Sequence, residues 1–253
     1  MIIISPAKNL NLNFEDITFS TSIPRFLSKT NNIVKLIKDL SITELKSLMK
    51  ISDNLSKINH QRFQDFDTIL DNEKKPAILM FSGDTFNGLS FREIDKKSYE
   101  YAQNNLRILT GLYGVLRPFD VIKPYRLEMG TNTKNILGSS LYDYWMKDIS
   151  ESIVKDLKLT KSDFLFNLAS NEYFSSVDTS KLNVQLVNFD FKRLSNNNLK
   201  NIGMMIKKLR GAMARFIIEK QVKKLDKLKD FNSFGFSYEN FDTKNNTFLF
   251  TIK

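Results

Sequence analysis

Short apolar runs, each stopped by proline, glycine or charge and separated by stretches of helical periodicity, confine this chain to a mixed α and β architecture. The opening Met1-Ile2-Ile3-Ile4, halted by Ser5-Pro6, reads as a short buried strand. Ala77-Ile78-Leu79-Met80-Phe81, ended by Ser82-Gly83-Asp84, reads as a strand buried on both faces. Further strands are expected at 164–168 and 184–189, with a final hairpin over 236–252. Helices are expected over 31–40, 98–110 and 141–157, and through a basic segment that a loop and cap at 196–198 introduces. Residues 43–50 and 56–66 flank a tight turn at 51–55, a helical hairpin. The fold class is therefore α+β, a mixed sheet surrounded by helices. No linker or repeat marks a boundary, so residues 1–253 read as a single compact domain, with room for a helical hairpin subdomain over 30–70.

Composition narrows the chemistry. Across 253 residues, 42% of them hydrophobic, a substantial core can form, yet cysteine is absent and His60 is the sole histidine. Disulfides, thiolate metal sites, iron–sulfur clusters and cysteine nucleophiles are excluded outright. A histidine-rich metal centre or an ordinary haem lacks ligands, which leaves room only for an oxygen-ligand site for a hard cation; neither a cofactor nor a resident metal is expected. His60 is expected on the surface of the hairpin. No signal peptide is evident, and no stretch approaches roughly 20 uninterrupted apolar residues. A cytoplasmic protein without a membrane partner is the expectation.

Charge is unevenly distributed. The net charge of +10 arises from 38 basic and 28 acidic residues, and residues 192–229 hold 12 of the former against Glu219 and Asp226 alone. The remainder balances at 26 of each sign. Such asymmetry suits a polyanion-binding face, because Lys and Arg gain free energy by displacing condensed counterions from phosphates. The alternative is a basic helix that merely keeps the protein soluble. At about 100° per residue, Ile202, Met205, Ile206, Leu209, Met213, Phe216 and Ile217 share one sector, with Lys200, Lys207, Lys208 and Arg215 opposite.

Three stretches stand apart from ordinary connections. Gly111-Leu112-Tyr113-Gly114-Val115-Leu116-Arg117-Pro118-Phe119-Asp120 leads into Pro124-Tyr125-Arg126-Leu127-Glu128-Met129-Gly130, pairing glycines with arginine forks suited to phosphate or carboxylate. Asn167-Leu168-Ala169-Ser170-Asn171-Glu172-Tyr173-Phe174 passes from a strand into a helix start, where free amides favour an anion. Lys207-Lys208-Leu209-Arg210-Gly211-Ala212-Met213-Ala214-Arg215 is the third. With Ile4-Ser5-Pro6-Ala7-Lys8, Phe81-Ser82-Gly83-Asp84, Gly88-Leu89, Leu141-Tyr142 and Trp145, these motifs resemble the YaaA peroxide-stress family along essentially the whole chain. The resemblance implies a role in limiting damage from hydrogen peroxide and unincorporated iron, DNA binding, a positively charged cleft and a helix-hairpin-helix-like element. That element would fall at 51–55, although Ser52-Asp53-Asn54 stands where glycines usually bring amides against phosphate.

Without a thiol, and with too little histidine for an ordinary haem or redox-metal centre, protection from peroxide is expected to be indirect. The leading expectation is a monomer that reads the backbone and shape of double-stranded or structured DNA through Lys8, Arg117, Arg126, Asn171, Lys207, Lys208, Arg210 and Arg215. The alternative is an enzyme acting on a nucleobase, nucleoside or damaged DNA, with Asp84, Glu128 or Glu172 as acid or base. Each candidate has a plainer role available. Gly83-Asp84 can form a turn, Arg126 and Glu128 can neutralise each other, and Asn171 and Glu172 can cap a helix. Tyr142, Tyr144 and Trp145 read as core or interface aromatics.

Overall fold

A computed structural model describes residues 1–13, 19–66, 75–195 and 198–252. At its centre lies β1 (Ile2–Ile4), three fully buried isoleucines that pair in parallel with two neighbours at once. One neighbour is β2 (Leu106–Thr110), which turns back antiparallel into β3 (Gly114–Leu116). The other is β4 (Phe164–Leu168), parallel in turn to β5 (Gln185–Ser195). Beyond β5 come β6 (Asn198–Asn201), β7 (Asn232–Ser233), β8 (Phe236–Asp242) and β9 (Thr247–Ile252). The sheet runs β7-β8-β9-β5-β4-β1-β2-β3, with β6 paired to β5 off that path. Its five central strands are parallel. The innermost, β1, is covered on both faces, so its sequence is apolar throughout rather than alternating.

The chain leaves β1 for β2 on one side and later places β4 on the other. The order reverses between β1 and β4, and in open α/β sheets the ligand crevice is found outside the carboxyl ends at such a reversal. Beyond β4, the register fixes a projecting ribbon. Since β9 pairs with Asn188 to Arg193 on one edge of β5, β4 and β6 share the opposite edge, at Gln185 to Asn188 and Lys192 to Ser195 respectively. Strand β6 therefore stands in line with β4, past its carboxyl end.

Helices α1 (Leu27–Lys38), α2 (Ile42–Met49) and α3 (Asp53–Gln64) precede the sheet's second strand, and a capping box between Ser41 and Glu44 starts α2. Two short helices, α4 (Asp84–Leu89) and α5 (Tyr99–Asn105), lead into β2; α6 (Leu141–Leu159) precedes β4 and α7 (Met205–Lys220) follows β6. Helices α4 and α7 meet through glycines. A Cβ on Gly211 would lie 1.8 Å from the Thr85 carbonyl oxygen, and one on Gly88 would lie 2.0 Å from that of Lys208. No other residue permits that approach. Among the described residues no helix is long and apolar enough to cross a membrane.

Several local expectations are corrected. Residues Ala77–Met80 form one buried helical turn, not a strand; the Ala77 and Ile78 amides donate to the carbonyls of Asp120 and Pro118. A short apolar run does not distinguish a buried strand from a buried helical turn. The helix expected over 98–110 stops at Asn105, and Leu106–Thr110 becomes a central strand. Arg107 lends that stretch an amphipathic look, yet its side chain is buried and paired. Lys200 belongs to β6 rather than to the basic helix, and Asn198 starts that strand; Asn196 and Asn197 lie outside the described residues, as do 67–70 of the expected hairpin subdomain. Strand β5 outruns its expected end by six residues. His60 is half-buried, with Nε2 3.5 Å from the Gln64 amide.

Helices α2 and α3 lie against each other across Lys50 to Ser52. The Ser52 hydroxyl takes the Leu55 amide, and the Asp53 carboxylate, 2.8 Å from Lys46, occupies the first turn of α3.

One buried carboxylate ties the halves together. Asp156 on α6 receives Arg107 Nε at 2.7 Å from β2 and both terminal nitrogens of Arg25, at 2.7 and 2.8 Å. Burial pushes the Asp156 carboxyl up, but the hydrogen bonds and charges of Arg25 and Arg107 outweigh it and leave it below the ordinary carboxylate range. Breaking one partner of a buried pair strands the other. Asp156→Asn is expected to cost about 3–5 kcal/mol in chemical denaturation. Because the folded carboxyl titrates low, its stabilisation is present above the unfolded value and is lost as pH falls through the lower folded value. The variant's acid limb is therefore expected to be flatter.

Candidate functional site

The crevice position expected at the reversal point is bounded by loops that leave the carboxyl ends of β1, β2 and β4. After β1, the Ser5 hydroxyl accepts the Ser170 amide at 2.8 Å, joining the first loop to the one after β4. After β2, Gly111 lies so close to the following motif that a Cβ would sit 2.4 Å from the Leu127 carbonyl oxygen. Buried Trp145 fixes this glycine by donating from Nε1 to its carbonyl at 2.9 Å. The close approach delivers Arg126, Glu128 and Gly130 to the rim.

There the charged groups find one another. Glu128 Oε1 receives Arg126 Nε at 3.1 Å and lies 3.7 Å from Lys8 Nζ. The Arg126–Glu128 pair is thus a neutralising contact, as an extended segment places both side chains on one face. Gly130 donates its amide to Glu172 Oε1 at 3.2 Å, so the motif after β2 meets the motif after β4. Neither Asn171 nor Glu172 caps the one-turn helix Asn171–Phe174; its cap position is Ser170, which makes no side-chain capping bond. Under this rim lies a tyrosine layer. Burial pushes the Tyr125 phenol well up, and burial followed by the nearby Glu172 and Glu128 does the same to Tyr173. These phenols stay protonated and serve as neutral hydrogen-bonding groups.

Gly83 joins the assembly, since a Cβ there would touch Ala7 Cβ at 3.4 Å. Asp84, next in sequence, is exposed at the start of α4. Among the described residues no three acidic or histidine side chains gather into a metal-holding group.

Other cations are engaged elsewhere. Arg117 grips the fully buried Asp120 through Nε and Nη2 at 3.0 and 2.8 Å, and Nη2 also reaches the Ile23 carbonyl. Arg215 holds Glu93 and Glu219, each at 2.8 Å, and those hydrogen bonds push its guanidinium up. Arg210 is largely withdrawn from solvent; burial lowers it and the neighbouring Asp190 partly compensates. Lys208 Nζ stands 4.3 Å over the Phe234 ring, whereas Lys207 is exposed.

Helix α7 thus buries more than one apolar sector, because Gly211, Ala212 and Ala214 pack as well. Two further cations without an acid lie outside it. Arg193 and Lys200 face each other directly across the β5–β6 ribbon, and neither has an ion-pair partner among the described residues. Strand alternation through Gln185 to Ser195 is the sequence signal for this pair, and a helical reading of Lys200 conceals it. Helix α7, sixteen residues and so about 24 Å long, follows this ribbon and carries the chain away to Lys220, Lys223 and Lys224. One cluster in sequence becomes two in space, farther apart than a Debye length of about 8 Å.

A mixed α/β protein with a parallel core, loops meeting at the reversal point of its sheet and a cationic ribbon is the class these features define. The family model described as peroxide stress protein YaaA matches residues 1–241. A UPF0246 protein of Caulobacter sp. (strain K31) is 41% identical over 238 residues, covering 94% of this chain and 93% of its own. The UPF0246 proteins of Aliivibrio fischeri (strain MJ11) and Flavobacterium psychrophilum are 38% and 40% identical over 251 residues, each with at least 97% coverage of both chains. This chain belongs to the YaaA peroxide-stress family.

The geometry separates structural from solvent-facing cations. Arg117→Gln is expected to cost about 1.5–3 kcal/mol, since Asp120 loses charged hydrogen bonds in a buried site. Lys207→Gln should change stability by no more than about 0.5 kcal/mol. Equal thermal shifts in the two variants would contradict this division.

Proposed function

We propose that this peroxide-stress protein binds DNA by backbone charge and duplex shape, with the β5–β6 ribbon and the start of α7 as the contact surface. The observation that carries the reading is the uncompensated pair Arg193 and Lys200. Like charges directly opposite in a ladder repel, and no carboxylate among the described residues relieves them. A phosphate backbone supplies the missing anion. Lys207 extends the surface at the head of α7, with Lys208, Arg210 and Lys192 behind it. Two-stranded ribbons fit a DNA groove, and the absence of a base-reading motif favours contacts to phosphate.

Lys8 and Arg126 contribute at the crevice rim only if a phosphate displaces Glu128, while Arg117 and Arg215 act by holding the scaffold. Asn171 stands exposed at the rim and completes the set. The family's peroxide-stress role fits a protein that shields DNA rather than one that destroys oxidant, given a chain with no thiol.

A second reading, catalysis on a nucleobase, draws on Glu172. Its side chain is exposed and accepts only the Gly130 amide among the described residues, whereas Glu128 is held by two cations. Loss of product from a lesion-bearing oligonucleotide in Glu172→Gln, with binding retained, would favour it.

Replacing Arg193, Lys200 and Lys207 together by glutamate is expected to weaken unrelated duplexes about equally. It should also lower the slope of log affinity against log salt by about 0.9 for each phosphate contact removed. Reversing Lys220, Lys223 and Lys224 serves as the distant control. Fluorescence anisotropy across a salt series measures both, and an unaltered slope in the first variant would refute the proposed surface.

A further inference from the structure

A groove of about 490 Å³ lies between the end of α4, the outer side of α7 and the β7–β8 turn, away from the crevice. One wall is Phe234. It is the only aromatic side chain that stands out as exposed among the described residues, at 42%, in a protein whose other described phenylalanines pack inward. Its backbone is equally unusual. Ser233 pairs with Phe236, so Phe234 and Gly235 form a two-residue hairpin turn, with φ of 51° and 79°. Turns with two positive φ values favour Asn-Gly, and an aromatic residue at the first position is strained. Neither core packing nor turn geometry accounts for phenylalanine here.

The remaining walls supply what a planar heterocycle needs. Lys208 lies against the Phe234 ring at 4.3 Å, at the edge of the groove. The side-chain amides of Asn87 and Asn232 line it without a hydrogen-bond partner among the described residues, leaving donors and acceptors on both sides. The floor is apolar, from Ala212, Phe216 and Phe231. The acids present, Glu93 and Glu219, are both held by Arg215, and with Lys208 the lining carries two charges of each sign. The volume is that of a small-molecule site.

We infer that this groove receives one unstacked nucleobase of a DNA strand, stacked on Phe234, with its edge read by Asn87 and Asn232 and the adjoining phosphate met by Lys208. The inference rests on the DNA-binding reading and adds an affinity for unpaired or extruded bases. Stacking on an aromatic side chain needs no particular sequence, since every base has a π face.

Phe234→Asn tests it without threatening the fold, because asparagine suits the turn. Three probes are titrated: a single strand containing 2-aminopurine, a fully paired duplex, and the free 2-aminopurine nucleoside. The wild-type protein is expected to quench the fluorescent base in the single strand. Phe234→Asn should abolish the quench, weaken that strand about 5- to 150-fold, leave the duplex within about twofold and raise the melting temperature by roughly 2–4 °C. Phe234→Tyr should retain quenching. Equal quenching and affinity in Phe234→Asn, or a matching loss for the duplex, would overturn the inference. Duplex binding by a wild-type protein that quenches neither fluorescent probe would sink the groove alone. Phe234-dependent quenching of either probe without duplex binding would sink the backbone reading and keep the groove; no binding of any probe would sink both.

Discussion

Strand β1 is the constraint on which the rest depends. Three isoleucines with no solvent contact hydrogen-bond to a parallel partner on each edge, and both partners come from distant parts of the chain. Parallel neighbours cannot be joined by tight turns, so long connections are obligatory, and those connections hold the helices. The same pairing positions the loop that leaves the strand. Ser5 lands beside Ser170 and Ala7 beside Gly83, which brings Lys8 near Glu128. The rim of the crevice is thus a consequence of strand order, with its charges placed by residues that themselves carry no charge.

The parts of this fold legible in the sequence are those whose pattern is local. The opening strand, β4, the terminal hairpin and α6 follow from runs that have a single period each. Residues 77–80 and 106–110 mislead because the deciding partners lie far away in sequence. The Ala77 turn is set by carbonyls of the segment at 118–120, and β2 is a strand because β1 and the Asp156 carboxylate await it. A buried arginine looks like the polar side of a helix until its acid is known.

The site is legible to a similar extent and for a similar reason. Glycine motifs mark where backbones approach closely, and Gly111, Gly88 and Gly211 are such places. The charge excess is visible as a number, but its geometry is not. Arg117 and Arg215 are bound to acids supplied by turns and, for Glu219, by the next turn of the same helix, while Arg193 and Lys200 become neighbours only through strand register. Periodicity assigns Lys200 to a helix and so hides the pairing that carries the functional reading.

The glycine contact between α4 and α7 has a mechanical consequence. With each helix's carbonyl oxygen occupying the space of a missing side chain on the other, the two cannot slide without collision, and they move as one plate. That plate begins beside Ala7 at one end and is continuous with the charged ribbon through Ile202 to Met204 at the other. A shift of α7 would therefore carry α4, and with it the Gly83 end that lies against Ala7, since no compliant side-chain layer lies between the helices at Gly88 and Gly211.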